Sequence, residues 1–279
     1  MKFGDFAIFL LSDGTFWLDG GAMFGVVPKA IWNRLNPADE ANRIELGLSC
    51  LLIQAASKNV LVDTGIGDKY DEKFKERFNV QRAPGLIGAL KRMGLTPEDI
   101  DMVINTHLHF DHAGGNTRLI GGKPVPTFPR ARYVIQRGEW EEAINPNERT
   151  RASYLEENLV PIQEAGLLEL IEGDRELLPG VRTIVTGGHT RDHQMVLLES
   201  QGKRALYLGD LVPTTSHIRT PYVMGYDLYP LDTMREKKKV LNEALDGHWL
   251  LIFEHDPKVG MGYLSQEGSK LKLNPVQEA

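Results

Sequence analysis

Between Thr106 and His112 the chain reads THLHFDH, and four of these side chains are metal ligands by type: His107, His109, Asp111 and His112. In an extended segment His107 and His109 point the same way, because side chains repeat every two residues along a strand. Asp111 and His112 fall where the chain turns, just before Gly114 and Gly115, and so aim elsewhere. Two histidines on one side and an Asp–His pair on the other suit two adjacent cations. Three imidazoles crowded beside a carboxylate would be costly without a cation or other partners. Imidazole and carboxylate suit Zn²⁺, and also Fe, Mn or Co. Two such ions about 3.5–4 Å apart lower the pKa of a bridging water and polarise a substrate oxygen. The resulting hydroxide attacks an electrophilic carbonyl or phosphoryl centre. That chemistry needs no serine or cysteine nucleophile, and the single cysteine, Cys50, lies in the apolar run LGLSCLLIQ as an expected buried, inert thiol.

Three further residues stand at the ends of apolar strands: His189 after VRTIVTGG, Asp210 closing RALYLGD and His255 after WLLIFE. The C-terminal ends of strands are where α/β folds place their sites. A lone histidine is more often structural, and an Asp after a strand is often a turn or cap. Three at equivalent positions beside HxHxDH reverse that reading.

The elements that must position these residues emerge from apolar periodicity. FAIFLL and TFWLD flank Ser12-Asp13-Gly14, which predicts a hairpin; LSCLLIQ and NVLVD flank Ala56-Ser57-Lys58-Asn59, which predicts a second. Helices are predicted over 71–79 and 85–94, and Thr96-Pro97-Glu98-Asp99 opens a short one. Strands are predicted at DMVINT, RYVIQ, LLELI, VRTIV, QMVLLE, RALYLG and WLLIF, and helices over 138–144, 149–159 and 232–246. The run Lys237-Lys238-Lys239 reads as a solvated helix face. Pro/Gly-rich stretches near 120–130 and 212–230 read as loops. The pattern is α/β, two sheets sandwiched by helices, with no linker; residues 1–279 are taken as one domain.

The ligand order HLHFDH, His189, Asp210, His255, with VLVDTG at 60–65 ahead of it, resembles the metallo-β-lactamase superfamily. The resemblance implies an αββα sandwich of two mixed sheets flanked by helices, with a binuclear centre at one edge. It places His107, His109 and His189 on one metal, Asp111, His112 and His255 on the other, and Asp210 between them. Two divalent ions per chain are expected, zinc first. Asp111 and Asp210 are the candidate catalytic carboxylates, either of which, or water, could protonate a leaving alkoxide. Asp63, in VDTG, is a candidate partner for a ligand histidine's free N–H, and His193 a candidate supporting residue.

GGAMFGVVP at 20–28, THLHFDHAGGN and LVPTTSH are similar to the quorum-quenching, YtnP-like branch of that superfamily. This implies hydrolysis of N-acyl-homoserine lactones by a metal-bridging hydroxide, with one ion stabilising the developing oxyanion and the other the leaving alkoxide. Met23 and Phe24, in a predicted loop, and Phe110 would line the acyl pocket. His217, Ile218, Tyr222 and Tyr226, in the segment after Asp210, would form another wall. Two departures stand out. Pro213 occupies the position, three residues after the bridging aspartate, where well-known homoserine lactonases carry tyrosine; Tyr222 and Tyr226 are the candidates to stand in. His189-Thr190-Arg191-Asp192-His193 replaces the GHTPGH of many relatives. The branch also resembles methyl parathion hydrolase, which keeps phosphotriesters and thioesters as alternative substrates.

Composition narrows the rest. The 279 residues carry a net charge of −6, with 42% hydrophobic and 25% charged residues, an ordinary globular make-up. The acidic balance and lack of a basic patch argue against nucleic acid, including a ribonuclease. No run approaches the roughly 18 apolar residues of a membrane span. The start MKFGDFAIFLL lacks the basic, long-apolar and small-residue regions of a signal peptide, so a cytoplasmic location is expected and a secreted β-lactamase is not. An iron-dependent oxidoreductase on the same scaffold and a non-catalytic binding protein are the readings from other classes. The expected partner is a small ester or lactone; a homodimer is the family-level expectation.

Overall fold

The computed structural model describes residues 1–55, 57–268 and 270–276. One seven-stranded sheet is built from the first part of the chain: β1 (Lys2–Phe3), β2 (Phe6–Asp19), β3 (Arg43–Ala55), β4 (Lys58–Val62) and β5 (Met102–Ile104). β6 (Thr117–Ile120) and β7 (Lys123–Pro126) form a separate hairpin, and β8 (Arg132–Gln136) and β9 (Leu168–Ile171) complete the first sheet, in the order β1-β2-β3-β4-β5-β8-β9. The second sheet keeps sequence order: β10 (Arg175–Leu178), β11 (Val181–Val185), β12 (Gln194–Ser200), β13 (Lys203–Tyr207), β14 (Leu250–Ile252), β15 (Met261–Glu267) and β16 (Lys270–Pro275).

Period-two alternation explains the layering. In β3, Leu51, Ile53 and Ala55 enter the core between the sheets, while Cys50 and Leu52 face the helix Gly85–Arg92 on the outside. In β13 and β14, Ala205, Tyr207, Leu250 and Ile252 meet that inner core, and Leu206 and Leu251, with Leu208 and Phe253 just beyond the strands, pack under the helix Pro230–Asp246. A strand covered on both faces reads as an unbroken apolar run. The result is helix–sheet–sheet–helix, and Cys50 sits fully buried within it, its thiol pushed well up by burial.

β4, β5, β8 and β9 run parallel, as do β13 and β14. Their C-terminal ends therefore open on one edge of the sandwich, which is where the chemistry gathers.

Several local expectations are corrected. No hairpin forms at Ser12-Asp13-Gly14: β2 runs straight through, with a bulge between Ser12 and Gly14. Asp13 is buried and accepts hydrogen bonds from Arg82, Leu86 N and Gly67 N, partners 54 to 73 residues away. Gly14 has φ +129°, and a Cβ there would stand 2.1 Å from Gln81 O. The second hairpin forms between β3 and β4; its Ala56 lies outside the described residues. Residues 149–159 are not a helix: turns run to a 3₁₀ segment at Glu156–Asn158, and helix begins only at Val160, where Pro161 suits a first turn. The stretch near 120–130 holds β7 rather than loop alone. Gly20–Phe24 is a short helix capped by the Asp19 carboxylate, not a loop. Lys237 is 0% exposed, unlike a solvated face, and its ammonium donates to the carbonyls of His217, Arg219 and Tyr222.

Candidate metal centre

Four residues of the site edge obey one spacing. His107, Glu139, Asp210 and His255 each stand three positions beyond the last residue of β5, β8, β13 and β14. Asp63 comes directly after β4. The parallel register brings these ends together from positions far apart in sequence.

His107 Nε2 and His189 Nε2 each lie 3.1 Å from His109 Nδ1. His112 Nε2 and His255 Nε2 lie 3.1 Å apart, with Asp111 Oδ2 at 4.0 and 3.7 Å from them. Asp210 stands between the two trios. Its Oδ2 is 3.1 Å from His189 Nε2 and 3.9 Å from His107 Nε2; its Oδ1 is 3.2 Å from His255 Nε2 and 3.6 Å from His112 Nε2. Gly209, with φ +49°, turns the chain so that Asp210 N donates to His193 Nε2 at 3.0 Å; a Cβ there would meet that same nitrogen at 2.7 Å. His193 is thus a buried support behind Asp210, its other nitrogen on Thr186 Oγ1.

The outward nitrogens determine what the inward ones can do. His255 Nδ1 donates to Gly47 O at 2.8 Å, and His189 Nδ1 donates to Asp227 Oδ1 at 2.9 Å. His112 Nδ1 faces Asp63 Oδ2 at 3.2 Å and Glu254 Oε2 at 2.8 Å. Thr106 Oγ1 donates to Asp63 Oδ2 and lies 3.1 Å from His107 Nδ1. With the outward nitrogens carrying the protons, the inward lone pairs of His112 and His255 confront each other, which only a shared cation or a proton relieves. A tetrahedral ion with bonds of about 2.0–2.1 Å separates its nitrogen ligands by about 3.3–3.4 Å, close to this spacing. Asp210 Oδ1 is buried and has no hydrogen-bond partner among the described residues, a position that a cation would satisfy. The donor set therefore fits divalent metal: among the described residues the two trios, the His107–His112–Asp210 group between them and the Asp63–His112–Glu254 group are clusters that could hold one.

The electrostatics agree. Burial, reinforced by neighbouring imidazoles, holds His107 and His109 well below the usual imidazole range, as neutral ligands. Burial resists protonation of His255 too, but Asp210 and Glu254 outweigh it and raise its pKa to about 9. His112 is likewise raised against its burial by Glu254, Asp210 and Asp111, and His189 by Asp210 and Asp227. Burial would raise Asp210, yet His189, His112 and His255 hold it well below the ordinary carboxylate range. Carboxylates around this cavity call for positive charge.

Above the centre lies a cavity of about 430 Å³, floored by His109, Asp111, His189, Asp210 and His255. Its walls include Met23, Phe110, Arg149, Ser153, Met224 and Tyr226. Of the residues assigned to this pocket from sequence, Met23, Phe110 and Tyr226 line it; Phe24, His217, Ile218 and Tyr222 do not. Phe24 is fully buried, stacked between Trp32 and His217 with Tyr222 edge-on. His217 is turned inward, its Nε2 on Met23 O at 2.8 Å and its Nδ1 on Thr214 Oγ1. Ile218 packs beneath the helix Pro230–Asp246. These four support the wall rather than face the cavity.

Sequence reading missed Glu139, Glu254, Asp227 and the 149–153 wall. Glu139 had a signal, its place three residues beyond RYVIQ. Glu254 had a weaker one, a charge between an apolar strand and His255. Asp227, 38 residues from the histidine it holds, had none.

Comparison with known proteins agrees with this architecture. The metallo-β-lactamase superfamily model matches residues 44–255. A probable metal-dependent hydrolase from Staphylococcus aureus is 37% identical, covers 100% of both chains and superposes with a TM-score of 0.92. An N-acyl homoserine lactonase of Bacillus cereus is 33% identical over 170 residues, which is 57% of this chain and 61% of that protein, so the match spans under two thirds of the relative's length. A dizinc quorum-quenching lactonase shares the fold at 19% identity, with a TM-score of 0.82 over 100% of this chain and 97% of that one. With the family model covering most of the chain, strands of both sheets and every residue of the two trios, the chain belongs to the metallo-β-lactamase superfamily.

Proposed function

We propose that this chain is a dinuclear metal-dependent hydrolase that opens lactone rings, with N-acyl-homoserine lactones as substrates and residues 1–279 acting as one domain. The observation that carries the reading is Asp210, placed with one oxygen toward each trio at the floor of a largely apolar cavity. The lactonase relative from Bacillus cereus supports the substrate class. When bound by His107, His109 and His189 and by Asp111, His112 and His255, with Asp210 shared, two divalent ions supply Lewis acidity and ready ionisation of water. Zinc fits the donors.

The chain's own groups do the rest. The Met23, Phe110 and Met224 side chains accept an acyl chain and exclude water from it. The Tyr226 hydroxyl, its pKa raised to about 12 by burial, keeps its proton at neutral pH and donates a hydrogen bond to the substrate. That role answers the loss of tyrosine at Pro213. Asp210 has both oxygens turned to histidines, whereas Asp111 meets the second trio through Oδ2 and also lines the cavity. Asp111 is therefore the group placed to return a proton to the leaving alkoxide.

Among the described residues no helix is long and apolar enough to cross a membrane. The test is proton release on adding a medium-chain N-acyl-homoserine lactone to protein loaded with zinc, cobalt or manganese, against metal-free protein. Metal-dependent turnover at about 10⁴ M⁻¹s⁻¹ or above is expected. Silence from protein verified to hold two ions per chain would remove this substrate and turn the search to phosphotriesters and thioesters.

A further inference from the structure

Glu139 lies in the first turn of the helix Arg137–Ile144 and is 1% exposed. Its surroundings are apolar: Leu108, Ile135, Trp140, Ala143, Tyr154 and Leu159 form one cluster there. A carboxylate in such a place is costly unless its oxygens are met by donors. Three donors meet it. Leu108 N reaches Oε1 at 2.9 Å, Tyr154 Oη reaches Oε1 at 3.0 Å, and Thr190 Oγ1 reaches Oε2 at 2.6 Å.

The three donors come from three separate segments, and each segment serves the same half of the centre. Leu108 lies between His107 and His109. Thr190 is the residue after His189. The Tyr154 ring packs against the His109 ring, with centroids 5.0 Å apart. Glu139 thus ties together every imidazole of the first trio without touching any of them, and it does not line the cavity. Nothing comparable links it to the second trio, where His112 faces Asp63 and Glu254 and His255 donates to Gly47 O.

We propose that Glu139 is a positioning residue dedicated to one metal subsite: through Leu108 N, Thr190 Oγ1 and Tyr154 Oη it sets the spacing of His107, His109 and His189 and leaves the second subsite alone. This rests on the dinuclear reading. His189 arrives on a loop 80 residues from His109; Asp227 holds its outward nitrogen, but that bond does not relate it to His107 or His109. One carboxylate bonded to both loops fixes their relative position, and outer partners of this kind are commonly worth ten- to a hundredfold in metal affinity.

The experiment counts bound zinc per chain and its affinity in chelator-buffered solution, using the full chain. Wild type is expected to hold two ions. Glu139→Ala is expected to keep one and to bind the other ten- to a hundredfold more weakly. Thr190→Val removes one of the three bonds with little change of shape and is expected to weaken the same ion by a smaller factor, which keeps the test open if the alanine variant does not fold. Glu139→Gln is expected to restore binding close to wild type. Its Oε1 still accepts from Leu108 N and Tyr154 Oη, and its amide donates to Thr190 Oγ1, whose hydroxyl can turn to accept.

Double variants assign the subsite. If Glu139 serves the first trio, Glu139→Ala adds little to the loss already caused by His189→Ala but weakens the ion remaining in His255→Ala by the same ten- to a hundredfold. Equal weakening of both ions, full additivity with His189→Ala, or wild-type binding in both Glu139→Ala and Thr190→Val would overturn the proposal. A wild-type chain that holds one ion sinks the dinuclear reading instead. Glu139 is then judged on that ion: it stands only if both His189→Ala and Thr190→Val weaken it.

Discussion

The metal centre and the wall of the cavity above it are built by opposite means. The centre draws its side chains from short segments that leave the C-terminal ends of sheet strands, so the strand register places where each segment starts and residue type does much of the rest. The wall is made from the helix Gly20–Phe24, the turns at 149–153 and the loop after Asp210. No sheet positions those pieces; side chains beneath them do. Phe24 stacks between Trp32 and His217, His217 holds Met23 O, and the buried ammonium of Lys237 gathers three carbonyls of the His217–Tyr222 turn. Chemistry and selectivity are therefore separable by mutation.

The sharpest break is at the centre. Asp210→Ala or His109→Ala should lower metal content and kcat/KM together, the latter by about a thousandfold or more, since metal Lewis acidity supplies several kcal/mol. Wild-type turnover from either variant would dissolve the distinction. Next, Phe24→Ala should cost about 3–5 kcal/mol of stability, the range for an emptied aromatic site in a core, while zinc binding at low temperature stays near normal. Denaturant unfolding beside a metal assay reads both, and an equal loss of metal would mean that wall and centre are one unit.

Lys237→Met removes the ammonium from the carbonyls of His217, Arg219 and Tyr222; Arg219 O keeps Tyr222 N, the cost is about 1–3 kcal/mol for each carbonyl left unmet, and KM should rise more than kcat falls. It also carries a pH signature. Burial lowers the Lys237 pKa from 10.5 to about 8. Between those values the unfolded chain binds a proton that the folded chain does not, so this group's contribution to stability rises with pH across that window and is flat below about 8. The stability of wild type relative to Lys237→Met should therefore grow between pH 8 and 10.5, as urea titrations at the two ends would show; a constant difference would mean the ammonium is not desolvated as described. The smallest effect belongs to Met23→Ala, which should shift acyl-chain preference by about tenfold, a few methylenes of apolar contact, with metal content unchanged. Unaltered preference would take Met23 out of the acyl site.

The same contrast explains what could be read beforehand. That the HxHxDH cluster, His189, Asp210 and His255 come together was legible because ligand-type residues stood just beyond apolar strands. The two-sheet sandwich was legible because strands buried on both faces are long apolar runs. Asp13-Gly14 looked like a turn because the partners that make it a bulge, Arg82 and Leu86, are distant in sequence. Lys237 looked solvated because its carbonyl acceptors are backbone, which composition does not reveal. Met23 and Phe24 were grouped together, yet one short helix turns the first toward the cavity and the second into the core. Glu139 was overlooked because it touches backbone and hydroxyls, not ligands.

The chain passes from one sheet to the other once, across residues 172–174, and never returns. His107, His109, Asp111 and His112 belong to the half before that crossing; His189, Asp210 and His255 belong to the half after it. Each prospective ion is therefore held by both halves, as a rivet through two plates. Were the connection at 172–174 severed, the plates would still share their apolar face and hydrogen bonds such as Thr190 to Glu139 and His217 to Met23 O, and bound zinc would add to what draws them back together.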